Sequence, residues 1–450
     1  MENISPELNY SPVVNNHSSL VYRVVSPQAG GDVTTNVSAS VGPTEFLIPP
    51  SCWIPEMSRL NFQLNLAAVT SAYNYVNANT LTGISRITLY DTATSNIIMD
   101  CSNFEKYASL VSTASTKFDD FVTKNILATV GSTDGTSQPY PVEDIQKTIV
   151  ASGNDDGDNE DLATLNPYFA RRQFFIGAVS TATVIDVSIP FTAFKLSALS
   201  SDKIWYSPSS LVLQVYWNAN NNYAFSATSN TDPSTGTANL ASAITIKSPQ
   251  LILANEGNLA IVSQVINKVM SGGGIQLPIA YPTVTKTTIS QTTSHAYQLQ
   301  LTRGYGNRIL AMLTAAFDKT SGANYANVHD RVPTTFYNTF LNNVAIRFPA
   351  GYKCTTGGQD WTIANFPYFK GSALQNIQEY VFGEWVHVDG FFGNKPLHEV
   401  DQHQVDGLDV TAQSSTWQLQ ATTSNVAYDW LTLIVGQKSM SLTAQGVMVQ

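Results

Sequence analysis

The sequence predicts an all-β chain made of two similar sandwiches in succession, with only a few short helices. Two observations carry this. Apolar and polar residues alternate with a period of two along most of the apolar stretches. In addition, one layout of elements occurs twice. Ile84-Ser85-Arg86-Ile87-Thr88-Leu89-Tyr90 leads through a polar turn into the helix-like run from Asn103 to Val111. Much later, Asn343-Val344-Ala345-Ile346-Arg347-Phe348 leads through a longer turn region into the helix-like run from Ala373 to Phe382. Residue identity between the two is low, but the order recurs, as expected of a duplicated architecture.

The elements follow in order. Leu60, Phe62, Leu64 and Leu66 alternate with Asn61, Gln63 and Asn65. Ile185, Val187 and Ile189 alternate with Asp186 and Ser188, and Leu211, Leu213, Val215 and Trp217 line one face of another strand. Later strands are marked by Tyr297, Leu299 and Leu301, by Trp417 and Leu419, and by Leu431, Leu433 and Val435. Such strands place apolar side chains on one face and polar ones on the other, the pattern of antiparallel sheets packed face to face.

Helical spacing is scarce. Phe104, Tyr107, Leu110 and Val111 share a helix face, with Ser102 as the candidate cap. Leu374, Ile377 and Val381 share another, opened by a Ser372-Ala373-Leu374-Gln375 capping box. Leu259, Val262, Ile266 and Val269 fit a third between Asn258 and Gly272, although its β-branched residues also suit a strand. Two segments read as long surface loops, Thr113 to Leu165 and Asn218 to Asn239. The boundary is placed near Glu256, giving an N-terminal unit over 1–255 and a C-terminal unit over 256–450, with Ser271-Gly272-Gly273-Gly274 as the clearest joint.

Composition narrows the function. The chain has 450 residues, 43% of them hydrophobic, enough to build packed cores and to exclude a disordered chain. Only 12% are charged, about half the usual share. A surface poor in charge suits a protein that buries its outside against copies of itself. It suits an extracellular β protein equally. The net charge is −10 and no basic cluster appears, so direct nucleic-acid binding is not expected. Cys52, Cys101 and Cys354 are too few and scattered for a disulfide framework or a zinc knuckle, and read as small buried thiols. The first residues lack the basic-then-apolar order of a signal peptide, and no apolar run is long enough to span a bilayer. Asn3-Ile4-Ser5, Asn16-His17-Ser18 and Asn36-Val37-Ser38 match the glycosylation pattern, but read as chance in an Asn/Ser-rich chain.

The strand order carries a resemblance. Ile185-Asp186-Val187-Ser188-Ile189-Pro190-Phe191 is followed by Ser207-Pro208-Ser209-Ser210-Leu211, then by the strand ending Tyr216-Trp217-Asn218. A long loop then leads to Ile244-Thr245-Ile246-Lys247-Ser248-Pro249-Gln250-Leu251. This resembles the end of the first jelly roll in the double jelly-roll major capsid proteins of the adenovirus and tectivirus-like double-stranded DNA virus lineage. The opening Pro49-Pro50-Ser51-Cys52-Trp53 and Ser58-Arg59-Leu60-Asn61-Phe62 is similar to their early strands. The stretch from Asp406-Gly407-Leu408-Asp409 through Trp417 to Ser439-Met440-Ser441-Leu442 is similar to their last ones. The resemblance is one of layout, over about Asn15 to Gln450, without an invariant motif. It implies two consecutive eight-stranded jelly-roll sandwiches and a homotrimer of pseudo-hexagonal outline, because three chains supply six similar sandwiches. It further implies a place in an icosahedral virion shell, with neighbouring capsomers, vertex (penton) proteins and minor capsid proteins as partners, and room for an internal membrane beneath the shell.

Candidate chemistry is sparse. His398-Glu399-Val400-Asp401-Gln402-His403 is the densest set of ligand types, and His398, Asp401 and His403 are its metal candidates. Its spacing is one residue longer than His-Glu-x-x-His, and Gly393, Pro396 and Gly407 favour a loop, so a hydrogen-bonded loop is the expectation. The acidic run Asp155 to Asp161 lacks EF-hand spacing and reads as a solvated loop. Gly304-Tyr305-Gly306-Asn307-Arg308 lacks the features of a nucleotide-binding loop and reads as a turn. No nucleophile elbow occurs. The expectation is a structural protein with no catalytic residue and no cofactor. A carbohydrate- or receptor-binding spike or fibre is the second reading, and a glycosidase or lyase on a β sandwich the third.

Overall fold

The computed structural model describes residues 19–36, 39–70, 73–77, 80–105, 107, 128–132, 138–139, 174–176, 180, 182–220, 224–227, 244–289, 294–318, 344–347, 386–390, 401–405, 407–411, 415–422 and 428–450. The first half is organised by β1 (Leu20–Val25), β2 (Val41–Ile48), β3 (Arg59–Leu66), β4 (Ile84–Asp91), β5 (Ile97–Ser102), β6 (Thr183–Pro190), β7 (Leu211–Trp217) and β8 (Ile244–Glu256). In one sheet β6, β3 and β8 lie side by side, and β1 pairs with β8. In a second sheet the order is β2, β7, β4, β5.

The alternating residues of β3 behave as the pattern requires. Leu60, Phe62, Leu64 and Leu66 are buried, and Ile189, Val187 and Ile185 lie directly opposite the first three on β6. Each buried side chain of this kind contributes about 1.5–3 kcal/mol. Phe62 meets Trp217 of the facing sheet edge-on, with ring centroids 4.8 Å apart. That contact puts the core between the two sheets, and the Trp217 indole N–H finds Thr44 Oγ1 at 2.8 Å.

β8 keeps its apolar face through a bulge. Lys247 pairs with Gln63 and Gln250 with Asn61, so three steps on β8 oppose two on β3. One extra residue reverses the phase of a strand. The core residues accordingly change from Ile244 and Ile246 to Leu251 and Leu253. Ser248 takes the positive φ of 48° at the bulge, and its N–H is held by Asp32 Oδ1 at 2.8 Å.

The two halves are joined by α1 (Leu259–Met270), so the ambiguous β-branched stretch is a helix. Asn258 caps it by accepting from the Ala260 N–H at 3.0 Å, and it stops before Gly272, which has a φ of 84°. Beyond it, β9 (Ile275–Ile289), β10 (Arg308–Asp318), β11 (Tyr428–Thr443) and β12 (Gly446–Val449) build the main sheet, with β11 between β9 and β10 and β12 on β11. Ser294–Leu301, Ser415–Thr422 and Val344–Arg347 form a smaller sheet. No described sheet mixes strands from before and after α1.

Several expectations are corrected. The polar turn after β4 does not run into a helix, because β5 intervenes. The helix that follows starts from Asn103, whose carbonyl accepts the Tyr107 N–H at 3.2 Å. Ser102 ends the strand and is not the cap. Within 113–165, Ala128–Ser132 pairs with β6, and Gln138–Pro139 pairs with that strand in turn. Within 218–239, Ala224–Ala227 pairs with Tyr73–Asn77. Ala128–Ser132 thereby extends the sheet beyond β6, and Ala224–Ala227 joins Tyr73–Asn77 and Phe174–Ile176 in a separate three-stranded sheet. The run 373–382 and the acidic run 155–161 lie outside the described residues.

Candidate functional site

The polar groups that the fold gathers lie where the two halves meet. β5 packs against β9 and β12, so the edge strand of the first half is covered by the second. Three clusters hold this junction.

The first centres on Asp91, the last residue of β4, whose surface is wholly buried. Its Oδ1 accepts the N–H groups of Ala93 at 2.7 Å and Thr94 at 3.2 Å, closing the turn locally. Its Oδ2 accepts the Ser209 hydroxyl at 2.7 Å, the Ser207 hydroxyl at 3.3 Å and the Val447 N–H at 2.7 Å. Val447 belongs to β12 and so comes from the other half. The Thr94 hydroxyl returns the contact, donating to the Val447 carbonyl at 2.8 Å. Burial alone would raise the Asp91 pKa, but the hydrogen bonds from Ser209, Val447, Ala93 and Thr94 outweigh it and hold the carboxyl below its ordinary range. Gly446 makes room for this approach. With a φ of 122°, a Cβ on it would stand 2.7 Å from Asp91 Oδ2.

The second cluster is the turn over 401–405. The Gln402 side chain accepts from the Ala280 N–H at 3.1 Å and donates to Ser200 Oγ at 3.4 Å, while Gln437 Nε2 donates to the carbonyls of Gln402 and Gln404 at 3.0 and 2.6 Å. His403 bridges the halves. Its Nδ1 lies 2.7 Å from the Pro278 carbonyl, which can only accept, so Nδ1 carries the proton. Its Nε2 lies 3.0 Å from Ser201 Oγ, and Ser201 in turn accepts from the Trp205 indole at 3.0 Å. The relay runs from Trp205 through Ser201 and His403 to Pro278. The third cluster is the two-bond pair of Arg86 and Asp100, both contacts at 2.8 Å, beside Tyr281, whose ring lies 3.6 Å under Lys438 Nζ. Burial, then the Asp100 charge, raises the Tyr281 pKa, and burial lowers that of Lys438.

The metal candidates separate. His403 has both ring nitrogens engaged at the junction, Asp401 is exposed and accepts the His403 N–H at 2.9 Å, and His398 lies outside the described residues. Among the described residues no three His, Cys, Asp or Glu side chains are close enough to hold a metal ion. Cys52 and Cys101 are buried thiols, the first pushed up to about 11 by burial and then by Glu256. Cys354 lies outside the described residues. Gly304 to Arg308 is a turn, with Gly306 N–H on the Arg303 carbonyl. Asp91 spends its carboxylate on five donors, which suits structural cohesion better than proton transfer. Sequence reasoning missed Asp91, although Asp followed by Thr-Ala-Thr is a turn signal.

No protein-family model matches the chain, and no curated protein matches it. Solved structures do. VP54 of the virus PBCV-1, fitted into a cryo-EM reconstruction of the virophage Sputnik, is similar with a TM-score of 0.54 at 9% identity, over 98% of both chains. The Faustovirus major capsid protein is similar with a TM-score of 0.52 at 11% identity, over 97% of this chain and 94% of that one. The cryo-EM structure of the Sputnik virophage gives 0.51 at 11%, over 100% of this chain and 92% of that one. The likeness is one of fold, and the fold is the double jelly roll.

Proposed function

We propose that the chain is a major capsid protein, acting as a building block and not as an enzyme. The supporting observation is that its likeness to the Faustovirus major capsid protein runs through both halves and covers 97% of this chain. In this reading the units are 1–255 and 256–450, each a jelly roll, and three chains close into a homotrimer. Six similar sandwiches then present six similar edges, so a trimer imitates a hexagon and tiles an icosahedral shell. The low charge fits lateral surfaces that are buried against neighbours. The Asp91 and His403 clusters fit the same role, because a tile must transmit load between its halves without hinging. Its site of action is the virion, and its further partners are vertex and minor capsid proteins.

Light scattering after size exclusion, together with negative-stain imaging of the purified chain, tests this. Trimers with a six-sided outline are expected. A stable monomer at micromolar concentration overturns the reading.

A further inference from the structure

Lys438 is a cation that the fold half buries and leaves without a counter-charge. It lies on β11 opposite Ile279, and Gly436, opposite Tyr281, brings no side chain. The ammonium therefore leans diagonally over the Tyr281 ring, its Nζ 3.6 Å from the centroid. Among the described residues it takes part in no ion pair, whereas Lys203 pairs with Asp202 and Arg308 with Asp409. The chain has 33 Asp and Glu against 23 Lys and Arg, so a carboxylate is not missing here for want of supply. Burial draws the Lys438 pKa down, with no carboxylate to offset it. A partly desolvated cation without a partner costs stability until an anion meets it.

A second cation stands by the same tyrosine and comes from the other half. Arg86 on β4 holds Asp100 on β5 through Nε and Nη2, each contact at 2.8 Å. That pair is neutral as a unit, and both of its charges bear on the Tyr281 hydroxyl. The Lys438 charge is thus in excess. The pair leaves Arg86 Nη1 with no acceptor among the described residues, and 43% of the Arg86 side chain is open to a solute. The Tyr281 hydroxyl has no hydrogen-bond partner there either. An ammonium, a phenol and the free edge of a guanidinium are a donor set for a tetrahedral oxyanion, whose oxygens point several ways at once.

We propose that Lys438, Tyr281 and Arg86 form a binding site for a phosphate group at the junction of the two halves, Lys438 supplying the charge and Tyr281 and Arg86 Nη1 the further donors. A phosphate seated there ties β4 of the first half to β11 of the second, so its binding stabilises the junction.

The test uses the full chain. Inorganic phosphate, glycerol phosphate and chloride are titrated at matched ionic strength, with calorimetry and thermal melting as readouts. Phosphate should bind and raise the melting temperature as the site fills, and chloride should do neither. Lys438→Met keeps the stem and removes the charge, and should weaken phosphate binding by about tenfold or more. Lys203→Met, at an exposed and already paired lysine, should leave binding unchanged. In the parent chain, phosphate should slow acetylation of Lys438 by acetic anhydride and not that of Lys203, which decides the matter if Lys438→Met fails to fold. Glycerol phosphate binding as well as inorganic phosphate supports the site and names a phosphate monoester as its ligand. Binding of inorganic phosphate alone supports it and names the free anion. Absence of binding beyond that of chloride, full binding by Lys438→Met, or acetylation of Lys438 that phosphate does not slow overturns the proposal. None of these outcomes bears on the oligomeric state that tests the capsomer reading.

Discussion

The Val447 N–H donates to Asp91 Oδ2 at 2.7 Å across a separation of 356 residues. One buried carboxylate thereby ties the turn after β4 to the short strand β12, and its charge is met by four further donors from its own half. Because all five contacts are donors, the group must stay an acceptor for the junction to hold.

Asp91→Asn tests that requirement. The amide keeps the shape but in either orientation turns its N–H₂ toward a backbone N–H, of Val447 or of Ala93 and Thr94, which can only donate. The expected loss is about 2–3 kcal/mol in chemical denaturation, the scale for a buried charged hydrogen-bond set left unsatisfied. Faster proteolysis of the chain beyond β11 should accompany it. An unchanged midpoint would mean that the junction does not depend on this carboxylate.

The same group sets an acid limit. Its folded pKa lies below the ordinary 3.8, so its stabilisation is complete above that value. It is lost only as pH falls from 3.8 toward the lower folded pKa. Melting temperature compared between the parent and Asp91→Asn should show a gap that is constant from pH 7 to about pH 5 and narrows below about pH 4. A gap that closes above pH 5 would contradict the direction of the shift.

Leu64→Asp should abolish folding of the first half, because Leu64 is 1% exposed and an unpaired carboxylate there costs several kcal/mol, on the order of the stability of a domain. Gln63→Asp should fold. It replaces the Gln63 amide that donates to Asp186 at 2.7 Å with a carboxylate facing another, a cross-strand penalty of about 0.5–1 kcal/mol. Soluble yield and melting of the pair give the comparison. Equal behaviour would mean that the two faces of β3 do not differ in burial, and a greater loss in Gln63→Asp would mean that its phase is reversed.

His403→Ala and Ser201→Ala should each lower stability by about 1–2 kcal/mol, and the double variant by less than their sum, since both remove the same bond. A double-mutant cycle measures the coupling. Additivity would break the proposed relay. Chelator should leave all four proteins unchanged, and a chelator-dependent loss in the parent alone would return His403 to the metal candidates.

Much of the sandwich is legible from single strands. β3 and β7 each have one face on the core, so their period of two reports burial directly. β5 is not legible for the opposite reason. Ile98, Met99 and Cys101 are all buried, because the second half covers the face that would otherwise be polar. A strand wrapped on both faces shows no alternation and reads as a short apolar run. The bulge at Ser248 conceals the phase of β8 in a similar way, by shifting its apolar set from Ile246 to Leu251. The junction is illegible for want of locality. Nothing near Asp91 announces Val447, and nothing in the His398 to His403 cluster shows that His403 faces Pro278 and Ser201 while Asp401 faces solvent.

The distance between Asp91 and Val447 is also an interval of time. At about 5–20 residues per second, the ribosome releases Val447 on the order of tens of seconds after Asp91. Through that interval the first half can hold its turn with Ala93, Thr94, Ser207 and Ser209, while one place on Oδ2 is kept by water. The Asp91 fastening closes only when β12 emerges. A nascent chain that stalls before β12 therefore lacks the Asp91 fastening and keeps only the contacts that residues before β12 can make, so synthesis itself marks off finished pieces from unfinished ones.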